Sequence, residues 1–244
     1  MHVVDVRNFY ETPLGHLAGE VLSRRLQRLA TAGAGQTVMG LGFTLPYLGA
    51  VTGQGASAFA FMQARQGVIH WLQDGENASA LVDDCDLPLV ESVVDLALVV
   101  HGLEFADTPD DMLSEVWRVL APQGRLILVI PNRRGLWAAS EATPFGHGQP
   151  FSMSQIAELL KEAKFTVSRS DRALHFPPVR HRTALAAARH LEAVGRLTAR
   201  AFAGVTIIEA VKQVYAFSSG KRARRLVPRF RPVLLPSPQG ARKS

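Results

Sequence analysis

The sequence predicts an α/β fold in three layers, with helices on both faces of a mainly parallel sheet. Short apolar runs, of the length of buried strands, alternate along the chain with amphipathic segments of helical length. The clearest example lies between Leu96 and Ile130, where the runs LALVV and LILVI flank a helix. Strand, helix and strand in this order predict a right-handed βαβ unit with two parallel strands.

The helix of this unit is predicted to begin at Thr108-Pro109 and to end at Pro122-Gln123-Gly124. Threonine is a common helix cap and proline fits the first helical position, while Asp111 completes a pattern similar to a capping box. The apolar residues that follow fall on one helical face, namely Met112, Leu113, Val116, Trp117 and Leu120.

The other elements follow from the same signals. A helix over about residues 12–32 is indicated by the Thr12-Pro13 start, by a leucine-rich face and by Gly33 after it. Further strands are predicted at 37–42, 56–62, 78–82, 165–168 and 204–217, and further helices at 45–51, 153–163 and 183–203.

Length and composition indicate one globular domain over residues 1–219, followed by a tail over 220–244. Of the 244 residues, 47% are hydrophobic and 20% charged, which is typical of globular proteins. No apolar run approaches the roughly 18 residues of a membrane span, and the N-terminus lacks the layout of a secretory signal. The single cysteine, Cys85, excludes an internal disulfide. We therefore expect a cytoplasmic protein.

The tail holds the excess positive charge. Eight of the 27 lysines and arginines follow Gly220, where there is no acid, and the other 19 face 21 acidic residues. A nucleic-acid-binding fold is therefore not indicated. The Pro- and Arg-rich tail is typical of a disordered segment, which could bind nucleic acid weakly or dock on an acidic partner. Phe230 is its only aromatic residue, so stacking on bases is not supported.

Several motifs resemble the second half of the class I methyltransferases that use S-adenosylmethionine, in particular those of type 11. In order, they are Leu87-Pro88, Val94-Asp95-Leu96, His101-Gly102-Leu103-Glu104, Trp117-Arg118-Val119-Leu120 and Pro122-x-Gly124-Arg125-Leu126. The resemblance extends more loosely from about Phe9 to about Phe217. It implies a Rossmann-like, mostly parallel sheet of seven strands with the last strand antiparallel, and a cofactor at the carboxyl ends of the first strands.

The resemblance places S-adenosylmethionine at the turn after the first strand, but that turn is degenerate. The family has an acid there, followed by three alternating glycines that let the backbone approach the ligand. Here Gly42 matches the first glycine, Gly40 replaces the acid, and Thr44 and Pro46 replace the other glycines. The alternative interpretation is that Gly40, Gly42 and Pro46 only shape a tight strand-to-helix turn.

Two further cofactor positions follow the next strands. Gln63 stands where the family has an acid for the ribose hydroxyls, and it could hydrogen-bond without charge assistance. Asp83 precedes Leu87-Pro88 by four residues and matches the acid near the adenine amino group, with Asp84 contributing its backbone. Alternatively, Asp83 and Asp84 are solvated loop acids.

Three places at strand ends are candidates for acceptor chemistry. His101, near Glu104, follows the fourth main strand, which the resemblance places at the methyl-transfer region; alternatively it caps the loop or packs against Trp117. Arg133, Arg134 and Trp137 could clamp an anionic or planar acceptor, or belong to a solvated loop whose tryptophan is in the core. His147, within PFGHGQPF, could contact the acceptor from an ordered substrate loop.

Two functional hypotheses remain open at this point. The first is a methyltransferase that uses S-adenosylmethionine on an unidentified small-molecule or protein acceptor. The second is a methyltransferase-fold protein that has lost cofactor binding and acts as a protein-binding or regulatory partner, in a homo- or hetero-oligomer. The histidines show no metal-ligand spacing and there is no cysteine cluster, so no metal is expected.

Overall fold

A seven-stranded mixed sheet forms the centre of the fold. The computed structural model describes residues 1–73, 75–179, 181–198 and 203–213, and the predicted tail and residues 214–217 of the last predicted strand lie outside them. The strands are β1 (Thr37–Gly42), β2 (Ser57–Gln63), β3 (Leu72–Gln73), β4 (Glu76–Asn77), β5 (Ser79–Val82), β6 (Val94–Val100), β7 (Leu120–Pro131), β8 (Phe165–Ala173) and β9 (Val205–Lys212).

The sheet has the order β5-β2-β1-β6-β7-β9-β8, and β3 and β4 form a separate small hairpin. Neighbours from β5 to β7 are parallel, whereas β9 runs antiparallel to both β7 and β8. This confirms the predicted mostly parallel sheet with an antiparallel last strand. The order reverses between β1 and β6, which is where open parallel sheets usually bind ligands.

Helices cover both faces of the sheet. They are α1 (Val3–Tyr10), α2 (Pro13–Leu29), α3 (Leu45–Val51), α4 (Pro109–Val119), α5 (Met153–Glu162) and α6 (Arg182–Thr198). One hydrophobic core packs α1, α2, α3 and α6 against the sheet, and a second packs α4 and α5 against its other face. Among the described residues, no helix has the length and apolar character that a membrane span requires.

The structure corrects several local predictions. Helix α1 was not predicted, and neither was the β3–β4 hairpin. Thr108 precedes α4 as predicted, but its side chain makes no capping bond and instead lies 3.1 Å from Cys85 Sγ. Leu120 begins β7 rather than continuing the helix, because α4 already ends at Val119.

Candidate functional site

The turn after β1 is built around two glycines. Gly42 has a φ of 84°, and a Cβ there would lie 2.5 Å from the carbonyl oxygen of Val100 on the neighbouring strand. Only glycine fits a left-handed conformation with the backbones this close. A Cβ at Gly40 would overlap the hydroxyl of Thr44 and lie 3.2 Å from Leu48 Cδ2.

The two unusual residues of this turn, Gly40 and Thr44, therefore fit together in packing. Thr44 is fully buried and its hydroxyl occupies the space above Gly40, where a longer side chain at that position would stand. Thr44 Oγ1 has no hydrogen-bond partner and does not cap α3. Packing against Thr44 alone accounts for Gly40, which is consistent with the tight-turn interpretation.

The end of β2 is joined to the acidic loop after β5. Gln63 is fully buried, and its Nε2 donates a hydrogen bond to Asp84 Oδ2. The other carboxylate oxygen of Asp84 lies 3.4 Å from the guanidinium of Arg65. Gln63 Oε1, in contrast, has no hydrogen-bond partner. The predicted positions Gln63 and Asp84 are thus brought together through their side chains.

Asp83 lies differently from what the sequence suggested. Its side chain is exposed, and its Oδ1 accepts a 2.9 Å hydrogen bond from the backbone amide of Cys85. Asp84 was predicted to contribute only its backbone, yet it is the acid with the buried carboxylate. Whether either acid binds a cofactor remains a prediction.

A buried chain of hydrogen bonds runs through His101. His101 Nε2 lies 2.8 Å from the Tyr10 hydroxyl, which accepts a 2.6 Å hydrogen bond from Tyr47, and His101 Nδ1 lies 3.2 Å from Glu104 Oε1. Burial raises the pKa of both tyrosines, so their hydroxyls stay protonated. Tyr47 then donates to Tyr10, Tyr10 donates to His101 Nε2, and His101 Nδ1–H donates to Glu104. We call these four residues the Tyr–His relay.

The backbone around His101 is held in an unusual conformation. His101 has a φ of 50°, and its carbonyl accepts a 3.1 Å hydrogen bond from Gln66 Nε2. A side chain in the left-handed region is uncommon outside glycine, asparagine and aspartate, although histidine tolerates it better than bulky residues. The imidazole lies 4.7 Å from the ring of Phe145, so the suggested packing against Trp117 is wrong.

Sequence reasoning missed Tyr10, although it joins Tyr47 to His101 in the relay. Tyr10 lies at the end of α1 and its ring stacks on Phe43 of the first turn, at 5.5 Å and 14°. The amide of Val3 donates a 2.8 Å hydrogen bond to the carbonyl of Gln66, which holds α1 near the ends of β2 and β6. A better sequence signal would have been the pattern of Val3, Val6, Phe9 and Tyr10, which are all buried.

The segment after β7 divides into core and surface residues. Trp137 is fully buried, and its Nε1 donates a 2.6 Å hydrogen bond to the carbonyl of Phe176. The alternative prediction, a tryptophan in the core, therefore describes its position, because the ring is enclosed by Phe9, Phe145 and Phe176. Arg133 and Arg134 remain exposed.

His147 is half-buried on the segment that follows. Its Nε2 lies 2.8 Å from the carbonyl oxygen of Glu141, and no hydrogen bond or ring contact joins it to His101 in the part of the chain that the structure describes. The next residues fold against the relay, since the amide of Gln149 donates a 2.7 Å hydrogen bond to the Glu104 carbonyl. The predicted substrate loop thus lies beside Glu104, with the His147 ring turned to its own loop.

Two cavities open near these residues. One, of about 460 Å³, lies between α1, α2 and the first turn, and Tyr10, Phe43 and Pro46 contribute to its wall. The other, of about 400 Å³, lies at the carboxyl end of β7 and includes Arg133 and Arg134.

Three buried polar atoms without partners lie at the ends of three adjacent strands. They are Thr44 Oγ1 after β1, Gln63 Oε1 at the end of β2 and Glu104 Oε2 after β6. Buried polar atoms are normally hydrogen-bonded, and Thr52, Trp117 and His175 elsewhere among the described residues also carry unpaired buried atoms, so the feature particular to this edge is that three of them lie at neighbouring strand ends. None of these three side chains lines either of the two cavities, and the acid that the resemblance assigns to the first turn is missing.

Comparison with known proteins agrees with this arrangement. Residues 39–128 match the methyltransferase-domain family, and no curated protein matches the chain. Residues 39–128 thus match a methyltransferase domain, and the chain has the fold of S-adenosylmethionine-dependent methyltransferases, in agreement with the resemblance.

Among solved structures, the fold is similar to a Thermotoga maritima S-adenosylmethionine-dependent methyltransferase described as a possible histamine N-methyltransferase. The TM-score is 0.59 at 16% identity, over 86% of this chain and 96% of that one. A methyltransferase solved with the Haloferax volcanii Trm112 activator gives a TM-score of 0.55 at 18% identity, over 79% and 89% of the two chains. Geranyl diphosphate C-methyltransferase from Streptomyces coelicolor gives 0.54 at 15% identity, over 78% and 76%.

Proposed function

We propose that this protein is an S-adenosylmethionine-dependent methyltransferase that acts on a small-molecule acceptor. The observation that carries the proposal is the row of unpaired buried atoms on Thr44, Gln63 and Glu104, at the sheet edge of a methyltransferase domain. S-adenosylmethionine, when bound, supplies an electrophilic methyl group on a sulfonium. Two solved proteins of similar fold, one described as a possible histamine N-methyltransferase and one as a geranyl diphosphate C-methyltransferase, support a small-molecule acceptor.

Gln63 and Asp84 are the residues that we propose hold the nucleoside part of the cofactor. Gln63 Oε1 can accept a hydrogen bond from a hydroxyl, because its Nε2 is already engaged by Asp84. Asp84 fixes the orientation of the amide and is itself held by Arg65. The Gly42 backbone, which carries no side chain, allows close approach at the neighbouring strand end.

The Tyr–His relay is suited to removing a proton from the acceptor. If the Tyr10 hydroxyl takes a proton from the acceptor, it can pass its own proton to His101 Nε2. Glu104, 3.2 Å from Nδ1, then stabilises the charged imidazole. The alignment of acceptor and methyl donor is worth about 7 kcal/mol or more in such displacements, so we expect the relay to add to positioning rather than replace it.

The proposal is tested by calorimetric titration with S-adenosylmethionine and with S-adenosylhomocysteine. We expect micromolar binding, weakened roughly tenfold by Gln63→Leu, since one hydrogen bond of this kind contributes about 1.4 kcal/mol. Gln27→Leu, the same change at an exposed position of α2, is the matched control and should bind as the wild type does. Circular dichroism establishes that both variants fold.

The second hypothesis, a partner protein without cofactor binding, is favoured by one observation. Tyr10 stacks on Phe43 directly over the first turn and contacts His101, so aromatic side chains of the chain itself cover this part of the crevice. Absence of heat at millimolar S-adenosylmethionine would reject the enzyme and leave this hypothesis. One protein of similar fold was solved in complex with a methyltransferase activator, which is the kind of assembly it envisages.

A further inference from the structure

The cavity at the carboxyl end of β7 combines three arginines with an apolar wall. Arg133, Arg134 and Arg172 contribute to it together with Phe151 and Met153, and none of the described residues that line it is acidic. Its volume is about 400 Å³, which is in the range of pockets for small organic ligands.

One wall of this cavity consists of residues that pair with each other across three neighbouring strands. Ile130 of β7 pairs with Thr206 of β9, and Thr206 pairs with Arg172 of β8. Directly opposed residues on neighbouring antiparallel strands point to the same face of the sheet. The sheet therefore places Arg172 in line with the end of β7, from which the turn carrying Arg133 and Arg134 departs.

The turn with the other two arginines is anchored to the end of the sheet. The Asn132 amide donates a 2.9 Å hydrogen bond to the Gly204 carbonyl, and Asn132 Nδ2 donates one of 2.7 Å to the Ala203 carbonyl. Gly135 packs so closely on Ala203 that a Cβ there would overlap its carbonyl oxygen. The backbone that presents Arg133 and Arg134 is thus held at both ends.

The start of α5 adds further donors to the same cavity. Ser152 and Gln155 cap the helix reciprocally, with hydrogen bonds of 3.3 and 2.8 Å. The amides of Met153 and Ser154, in the first turn, have no intrahelical acceptor and carry the positive end of the helix dipole. Arginines and a helix start on one concave surface together favour an anion.

We propose that this cavity binds the carboxylate or phosphate group of an organic anion, with Phe151 and Met153 against its apolar part. The further claim that this anion is the methyl acceptor rests on the proposed methyltransferase function. The segment between Phe145 and Ser152 links the two places, because the Phe145 ring lies 4.7 Å from that of His101 and Ser152 lines the cavity.

Calorimetric titration of the full chain with phenyl phosphate and with benzoate tests the proposal and distinguishes the two anionic groups. We expect binding of at least one of them, weakened roughly tenfold or more, about 1.4 kcal/mol or more, in Arg133→Gln/Arg134→Gln, because charge-assisted hydrogen bonds to the anion are lost. Arg24→Gln/Arg169→Gln removes the same charge from exposed positions elsewhere and should change the dissociation constant less than about twofold. The basic tail is present in every variant, so a difference in dissociation constant between variants reflects binding in the cavity.

Three results would overturn the proposal: neither anion binds at about 10 mM, the two double variants weaken binding equally, or neutral benzyl alcohol binds as well as phenyl phosphate. S-adenosylhomocysteine, titrated in parallel, separates this proposal from the proposed function. Anion binding without cofactor binding supports the cavity and rejects the methyltransferase, whereas cofactor binding without anion binding does the reverse.

Discussion

The degenerate first turn can be tested by asking whether Gly40 and Thr44 depend on each other. In Gly40→Ala, the new Cβ overlaps the Thr44 hydroxyl and lies 3.0 Å from Thr44 Cβ and 3.2 Å from Leu48 Cδ2. All of these atoms are buried, and two belong to a residue at the start of α3 that has little room to move. Overpacking of this kind costs about 1–3 kcal/mol of unfolding free energy.

Thr44→Gly should be mild when made alone. The Thr44 side chain makes no capping bond and its buried hydroxyl has no partner, so its removal loses about 1 kcal/mol of packing at most. In Gly40→Ala/Thr44→Gly, the overlap disappears and only the contact with the flexible end of Leu48 remains. The double variant should therefore be more stable than the sum of the single variants by about 1–3 kcal/mol.

Urea unfolding, followed by circular dichroism, measures the stability of the wild type, of the two single variants and of the double variant. The slope of free energy against urea should be the same in each variant, so that the midpoints report stability alone. Additivity within about 0.5 kcal/mol would show that Thr44 does not fill the space above Gly40. The description of the turn as one packed unit would then be refuted.

Two further predictions concern side-chain hydrogen bonds. Tyr10→Phe should lower the unfolding free energy by about 1–3 kcal/mol, measured in urea, because Tyr47 and His101 each lose a buried partner; a change below about 0.5 kcal/mol would argue against the relay. The hydrogen bond from Arg118 lowers the pKa of Glu115, so its stabilisation is present above the ordinary pKa of glutamate and is lost as pH falls through the folded-state pKa. Glu115→Gln should therefore be destabilised at pH 7 by about 1–2 kcal/mol relative to the wild type, and the difference should shrink towards pH 3; a difference independent of pH would contradict this assignment.

The sequence predicted the sheet well because its signals are local. The bounds predicted for β1 and α3, residues 37–42 and 45–51, are those of the structure, since glycine and proline mark the turn between them. Helix α1 escaped prediction because its apolar face, Val3, Val6, Phe9 and Tyr10, spans only eight residues and is too short a pattern to mark a helix that packing on the rest of the domain stabilises.

The site was predictable in position but not in detail. The candidates Gly42, Gln63 and His101 all lie at the expected sheet edge, because parallel strands end on the same side. The local sequence does not show which of the two consecutive acids has a buried side chain. Asp84 is buried where Gln63, 21 residues away, donates a hydrogen bond to it. The sequence offered a core position for Trp137 as one of two alternatives, and the residues that decide between them, Phe9 and Phe176, are distant in sequence.

The hydrogen bond between Tyr10 and His101 spans 91 residues of sequence. During synthesis, α1 leaves the ribosome first, and the surface on which its apolar side packs does not exist until β6 and the turn after it have followed. Closing so long a loop carries an entropic cost that only the assembled sheet can offset. We therefore expect the relay to be among the last parts of the domain to form, so that the complete chain of hydrogen bonds reports a completed fold.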